Sequence, residues 1–334
     1  MTNRLAGVEP PPDVFAAVMA TGVLSVAAED HHYPGISETT GVLASLGLLV
    51  LVVVVILRRR SVRWDLHDPD VTLRLFTFVA ACAVLDSRLD AFPVPVRALG
   101  LVALAAWLVL IVLTMRNMAA RSWRELRDRA RGAWELASVG TSGLAIAATK
   151  LARHPVDQRW LVVAVPVWVA ALCLYALMTW LALWRIVAER RDRAGFEPDS
   201  WILMGGLAIA TLAGTNIHAL APAWLAGPVR AVTVVTWVAA SLWIPPLVYF
   251  TLHWINRSPG TLNFAGMWWA FVFPLGMYSV ASYTMAGETG RPSLVTVSLV
   301  FFWDAFAAWS AMVVGGLLLS GRTLLGGRVS GSGS

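Results

Sequence analysis

The sequence predicts an all-α polytopic membrane protein, and three observations carry that prediction. Roughly ten apolar segments, each about long enough to cross a hydrocarbon core at 1.5 Å per residue, fill the chain from Asp13 to about Ser320. Hydrophobic residues make up 58% of the chain and charged residues 14%, and 17 tryptophans suit the aromatic belts of a helix bundle. A lipid-embedded helix satisfies its own backbone hydrogen bonds while an irregular segment at that depth does not, so short turns must join helices. Residues 1–12 are then an N-terminal cytoplasmic tail, 13–320 one transmembrane domain, and 321–334, ending in SGSGS, a flexible tail. No room remains for a soluble catalytic domain.

The first span follows Pro10, Pro11 and Pro12, with Asp13 as its expected N-cap. Its start lacks the basic residues and small-residue cleavage site of a secretory signal, so it is expected to stay as a helix. Later helix starts near Thr72, Trp134, Pro198 and Leu262 recur at roughly 60 to 66 residues, the length of a helical hairpin with its turns. Five hairpins, and so ten spans, result. Most arginines fall in RRRSVR at 58–63, RNMAARSWRELRDRAR at 116–131 and RIVAERRDR at 185–193. The positive-inside rule puts those connections, and with an even number of spans both termini, in the cytoplasm. The formal charge of +6 therefore reads as topology and lipid headgroup contact, and nucleic acid is not indicated. Cys82 and Cys173 lie in separate apolar segments and read as small core residues.

First members of the hairpins carry small and polar residues, as in MATGVLS at 19–25, VGTSGLAIAAT at 139–149, MGGLAIATLAGT at 204–215 and FPLGMYSVAS at 273–282. Second members such as LGLLVLVVVVIL at 46–57 are greasier. Small residues let backbones approach and hydroxyls avoid lipid, so the odd helices are expected inside, where five of them can surround an axial pore. Thr21, Gly22, Ser25, Thr141, Ser142, Thr211, Thr215 and Ser279 are the candidates for lining it. Any one of them alone is better explained by close helix packing, and the case for a pore is their recurrence in alternate segments.

The stretches FAAVMATGVLS at 15–25, WILMGGLAIATLAG at 201–214, WVAASLWIPPLV at 237–248 and WWAFVFPLGMYSVAS at 268–282 resemble the tellurite-resistance and dicarboxylate transporter family. That family includes slow-type plant anion channels, fungal malate permeases and sulfite exporters. The resemblance implies five hairpins in pseudo-fivefold arrangement, a homotrimer with one pore per protomer, and a phenylalanine plug that falls on Phe273, directly before Pro274. Proline kinks a helix and frees carbonyls, so Phe273 can swing toward an axis, and a hydrophobic constriction closes a pore by dewetting. Alternatively Phe273 packs between helices and Pro274 only bends one. The family's Met-Gly-Thr-Gly motif is here Met19, Ala20, Thr21 and Gly22, and the added methyl group narrows the expected lumen.

Charges at membrane depth mark pathways by default. Glu135, a turn into the fifth span, and Asp304, near the middle of the tenth, are possible proton sites; the alternatives are a helix-start carboxylate for Glu135 and structural hydrogen bonding for Asp304. Lys150 and Arg153, with His154 and Arg159, form a basic cluster after the fifth span that either attracts anions at a pore mouth or snorkels to headgroups. Asp86, Arg88 and Asp90 read as a solvated cluster ending the third span. No HExxH or paired-ligand spacing exists, so no metal or cofactor is expected, and no Ser-His or Cys-His constellation suggests an enzyme. The expected function is movement of small inorganic or organic anions across a bacterial plasma membrane, with proton-coupled export of dicarboxylate, sulfite or tellurite-related oxyanions as the alternative.

Overall fold

The computed structural model describes residues 10–58, 64–88, 93–151, 158–188, 198–257 and 269–329. Among the described residues the chain is helical throughout, with α1 (Ala16–Asp30), α2 (Pro34–Leu57), α3 (Pro69–Arg74), α4 (Phe76–Arg88), α5 (Pro93–Ala119), α6 (Trp123–Arg129), α7 (Leu136–Leu151), α8 (Leu161–Ala188), α9 (Ile202–His218), α10 (Ala223–Arg257), α11 (Trp269–Thr289) and α12 (Ser293–Val329). Six helices among the described residues are long and apolar enough to cross a membrane: Pro34–Leu57, Ala98–Ala119, Leu161–Ala188, Asp199–His218, Ala223–His253 and Ser293–Leu318. The chain is therefore a polytopic membrane protein.

Burial divides the helices into two classes. The apolar window of Asp199–His218 is 89% buried inside the protein, whereas the windows in α2, α5, α8, α10 and α12 are 17–28% buried. Leu49, Val53 and Leu57 of α2, Val109 and Val112 of α5, and Leu317 of α12 are exposed, which suits a surface solvated by lipid tails rather than water. α1, α4, α7 and α11 are buried along their lengths like α9, and their small residues let them approach one another. These five pack in a closed ring, α1 on α4, α4 on α7, α7 on α9, α9 on α11 and α11 back on α1. Glycines sit at the tightest crossings. A Cβ added at Gly22 would lie 2.8 Å from Val84, one at Gly143 2.7 Å from Ala83, and one at Gly276 2.8 Å from Val23.

Several local expectations change in the structure. α1 begins at Ala16 and has no side-chain cap; the Asp13 carboxylate instead accepts from Arg74 Nη1 at 3.2 Å, because a guanidinium satisfies it better than one helix N–H. The third span is preceded by α3, capped by Asp68, whose side chain accepts the Asp70 N–H. The fifth and seventh spans each enter through a 3-10 turn, Gly132–Glu135 and Pro198–Trp201. The expected start at Leu262 lies outside the described residues, and α12 continues past residue 320 to Val329. The arginine-rich connection folds as α6, closed by a capping box between Ser122 and Glu125, with Arg127 over the Trp184 ring. Cys82 is buried as expected, but Cys173 is exposed on α8.

Candidate functional site

The axis of the ring can be read from helical spacing. Residues 16, 19, 23 and 26 of α1, 202, 205, 209 and 212 of α9, and 270, 273, 277 and 280 of α11 each fall on one face at a period near 3.6. The upper members of these stripes, Val23, Val26, Ile209, Leu212, Met277 and Val280, enclose a cavity of about 20 Å³ with Val84 of α4 and Ile146 of α7. Every one of those side chains is apolar. That volume has room for one water, but a water needs polar partners to stay.

The lower members open onto a larger vestibule of about 210 Å³ at the arginine-rich end. Ala16, Thr77, Leu136, Ile202 and Ala270 line it, the first or second residue of each of the five ring helices. Several of their first-turn N–H groups are met by the preceding turn, Ala16 N–H donating to the Asp13 carbonyl, Phe78 N–H to that of Leu75 and Leu136 N–H to that of Ala133, so these starts add the positive end of each macrodipole rather than free donors. Arg74 and Arg131 add guanidinium groups. The vestibule carboxylates are engaged: Asp13 holds Arg74 at 3.2 Å, with Asp70 outside the cavity holding it at 3.1 Å, and Asp199 accepts the Ala133 N–H at 3.2 Å.

Phe273 sits on the α11 stripe between Ala270 at the vestibule and Met277 at the apolar cavity, fully buried, with Pro274 inside the helix directly after it. The neighbouring stripe of α9 carries Gly205 at the same level, where an added Cβ would lie 3.2 Å from Phe273 Cε1 and 3.1 Å from Pro274. The missing side chain leaves the space that the ring fills. Phe271, two positions earlier, turns away and stacks edge-on against Trp201 with ring centroids 4.7 Å apart.

The hydroxyls named as candidates for the pore face away from the apolar cavity. Thr21 Oγ1 accepts Trp309 Nε1–H at 2.9 Å and Thr141 Oγ1 accepts Trp107 Nε1–H at 2.8 Å. Thr211 meets Thr236 at 2.9 Å, and Ser25 with Ser37, like Ser279 with Ser298, exchanges reciprocal hydroxyl-to-carbonyl bonds across a hairpin. Thr215 donates to the Leu212 carbonyl, and Ser142 is buried without a hydrogen-bond partner. None of these side chains lines the apolar cavity; Gly22 packs on α4. Sequence reasoning missed the tryptophans that receive them. Trp107, Trp168, Trp237 and Trp309, one from each of α5, α8, α10 and α12, donate to Thr141, the Ala210 carbonyl, Ser282 and Thr21. Each of these four outer helices thereby bonds to the first helix of the next hairpin, Trp309 reaching back to α1, while α2 carries no tryptophan. Tryptophans within these greasy spans, rather than only at their ends, were the legible signal.

The charged candidates separate. Glu135 is 1% exposed, its Oε1 accepting from Thr179 at 2.6 Å and Oε2 from Ser138 at 3.0 Å. Asp304 lies on the exposed face of α12. Lys150 ends α7 half-buried and reaches the Asp86 carbonyl at 3.5 Å; Arg153, His154 and Asp90 lie outside the described residues. Asp86 is buried rather than solvated, and Arg88 pairs with Glu29 at 2.8 Å. His218 pairs with Glu288 at 2.9 Å. Among the described residues no group of three or more His, Cys, Asp or Glu side chains could hold a metal.

Comparison with known proteins agrees with this architecture. Residues 10–317 match the voltage-dependent anion channel family model, SLAC1. An uncharacterized transporter of Methanocaldococcus jannaschii is 22% identical over 320 residues, 90% of this chain and 92% of its own length. A second from the same organism is 23% identical over 327 residues, 91% of each. An uncharacterized membrane protein of Mycobacterium tuberculosis is 33% identical over 147 residues, 42% of this chain and 74% of that protein. With a buried helical ring, lipid-facing outer helices and a match spanning nearly the whole chain, the protein belongs to the SLAC1 voltage-dependent anion channel family of membrane transporters.

Proposed function

We propose that the protein moves small anions along the axis of the five-helix ring, with Phe273 as the gate. The observation that carries this reading is the asymmetry of the axis: the starts of the five inner helices and Arg131 converge on a polar vestibule, and one buried ring separates it from an apolar cavity. Positive helix ends and guanidinium groups concentrate anions at the vestibule. The apolar cavity then resists a hydrated ion until the ring moves and the column wets. The short helices α1, α4, α7 and α11 complete ten spans with the six apolar ones, as five hairpins around the pore. Alternating arginine connections orient the vestibule and both termini toward the cytoplasm of a bacterial plasma membrane. Lys150 stands at the other mouth, and three copies, each with its own pore, form the assembly.

Glu135 favours a second reading, coupled export of an acid, because a carboxyl buried among hydroxyls at the edge of a pathway is placed to exchange a proton. Asp304, on the outer face, has no such placement. Proteoliposome flux with chloride, nitrate, sulfite, tellurite and dicarboxylates, at clamped voltage and pH, tests both. Anion flux that follows voltage at equal pH supports the channel; flux only along a proton gradient supports coupling; cation flux or none defeats both.

A further inference from the structure

α9 carries two adjacent glycines that face different partners. Gly205 abuts Phe273 Cε1 and Pro274, as described above. Gly206, about 100° around the helix, abuts the other side: an added Cβ would lie 3.2 Å from Ser138 Oγ and 3.2 Å from Tyr175 Cδ2. Ser138 is the hydroxyl that donates to Glu135 Oε2, and Tyr175 is held by Trp243 Nε1–H at 2.8 Å. One stretch of bare backbone thus touches the candidate gate on one face and the buried carboxyl's network on the other.

We propose that Glu135 is a positioning residue for the gate, acting through Ser138, Tyr175 and the Gly205–Gly206 pair to set where the Phe273 ring sits. The inference rests on Phe273 being the gate. An ionised Glu135 accepts from both Thr179 and Ser138. A protonated one has only one oxygen free of hydrogen, and Ser138 already has a second acceptor, the Glu135 backbone carbonyl at 2.9 Å. Changing the carboxyl's proton count therefore redirects the Ser138 hydroxyl that lies against Gly206. With no side chain on either glycine to absorb the change, α9 transmits a displacement of a few tenths of an ångström directly to the ring.

The charges around Glu135 leave it as the group that titrates into this contact. From α3, Asp70 and Arg74 are engaged with each other and with Trp134 Nε1. From α8 come Thr179, Tyr175 and, further off, Arg185, which donates to the Ala130 carbonyl. The Pro198–Trp201 turn offers Asp199, which accepts the Ala133 N–H. α9 itself carries no acidic or basic residue from Ile202 to Ile217, and α7 none before Lys150.

Single-channel conductance of the reconstituted full chain, recorded between about pH 5 and 9, tests the coupling. The parent is expected to show a pH-dependent conductance. Glu135→Gln, which mimics the protonated form, should hold the parent's acid-limb value at every pH, and Gly206→Ala and Thr179→Val should displace the midpoint while leaving the limbs in place. Phe273→Ala should conduct more than the parent and lose the pH response. A raised conductance that keeps its pH response in Phe273→Ala overturns the coupling and spares the gate, whereas no rise at all defeats the gate and the coupling together. A parent without pH dependence, or loss of the response in Asp304→Asn with an unmoved midpoint in Thr179→Val and Gly206→Ala, also overturns the proposal.

Discussion

The two halves of the axis differ in almost every respect although the same five helices build them. At the helix starts the axis is wide and polar, with Arg74, Arg131, Asp13 and Asp199 around about 210 Å³. Beyond Phe273 it is narrow and aliphatic, about 20 Å³ walled by valines, isoleucines, Leu212 and Met277. Under the proposed function the two halves divide the work: charge selection falls to the vestibule, and resistance to passage to the ring and the apolar column. Hydroxyl groups, which a pore for hydrated ions would use, are instead spent on tying inner helices to outer ones.

The largest disruption is expected from Gly132→Ala, which attacks the wide half alone. A Cβ there would run into the Asp199 carbonyl, which belongs to backbone and cannot swing aside. Overpacking of this kind costs at least about 1–3 kcal/mol, so the variant should yield little folded protein by size-exclusion chromatography in detergent. A well-folded Gly132→Ala would show that the vestibule wall is looser than its contacts imply.

The narrow half can be altered without changing shape. Val280→Thr places a hydroxyl in the apolar cavity at nearly constant volume, and conductance should rise several-fold as the column wets more easily. Unchanged conductance would remove dewetting from the account. A smaller effect is expected from Arg131→Gln: anion current drawn from the vestibule side should fall roughly twofold at low salt and little in about 1 M salt, where screening is nearly complete within 3 Å. A loss independent of salt would make Arg131 structural. Smallest is Trp107→Phe, which deletes the bond to Thr141 and should lower thermal stability by about 0.6–1 kcal/mol without changing ion selectivity. A change in selectivity would put Thr141 on the pathway after all.

Much of this architecture was legible because lipid enforces simple rules. Alternating small-residue and greasy segments separated the inner helices from the outer ones, and the spacing of Phe273 with Met277 and Val280 was available from helical period. The facing of the hydroxyls was not. Both sides of an inner helix are buried, so Thr21 and Val23, about 200° apart, are equally compatible with the axis until the partners on either side are known. Glu135 was legible as a buried charge but its hydroxyl partner from α8, Thr179, lies 44 residues away. Asp13 misled because a proline-rich lead-in is a helix-start signal, and Arg74 competes for its carboxylate through a contact 61 residues distant.

Division of the axis by one ring is tested by Phe273→Ala, with Phe271→Ala as its control. Both positions are aromatic and neighbours in sequence, but Phe271 packs on Trp201 while Phe273 lies on the axial stripe against Gly205. Conductance per folded protein, measured in planar bilayers, should rise strongly in Phe273→Ala and stay at the parental value in Phe271→Ala. If Phe273 were only a packed core residue, its truncation would cost about 3–5 kcal/mol of stability and open no pathway. Equal, parental conductance in two well-folded variants would contradict the account.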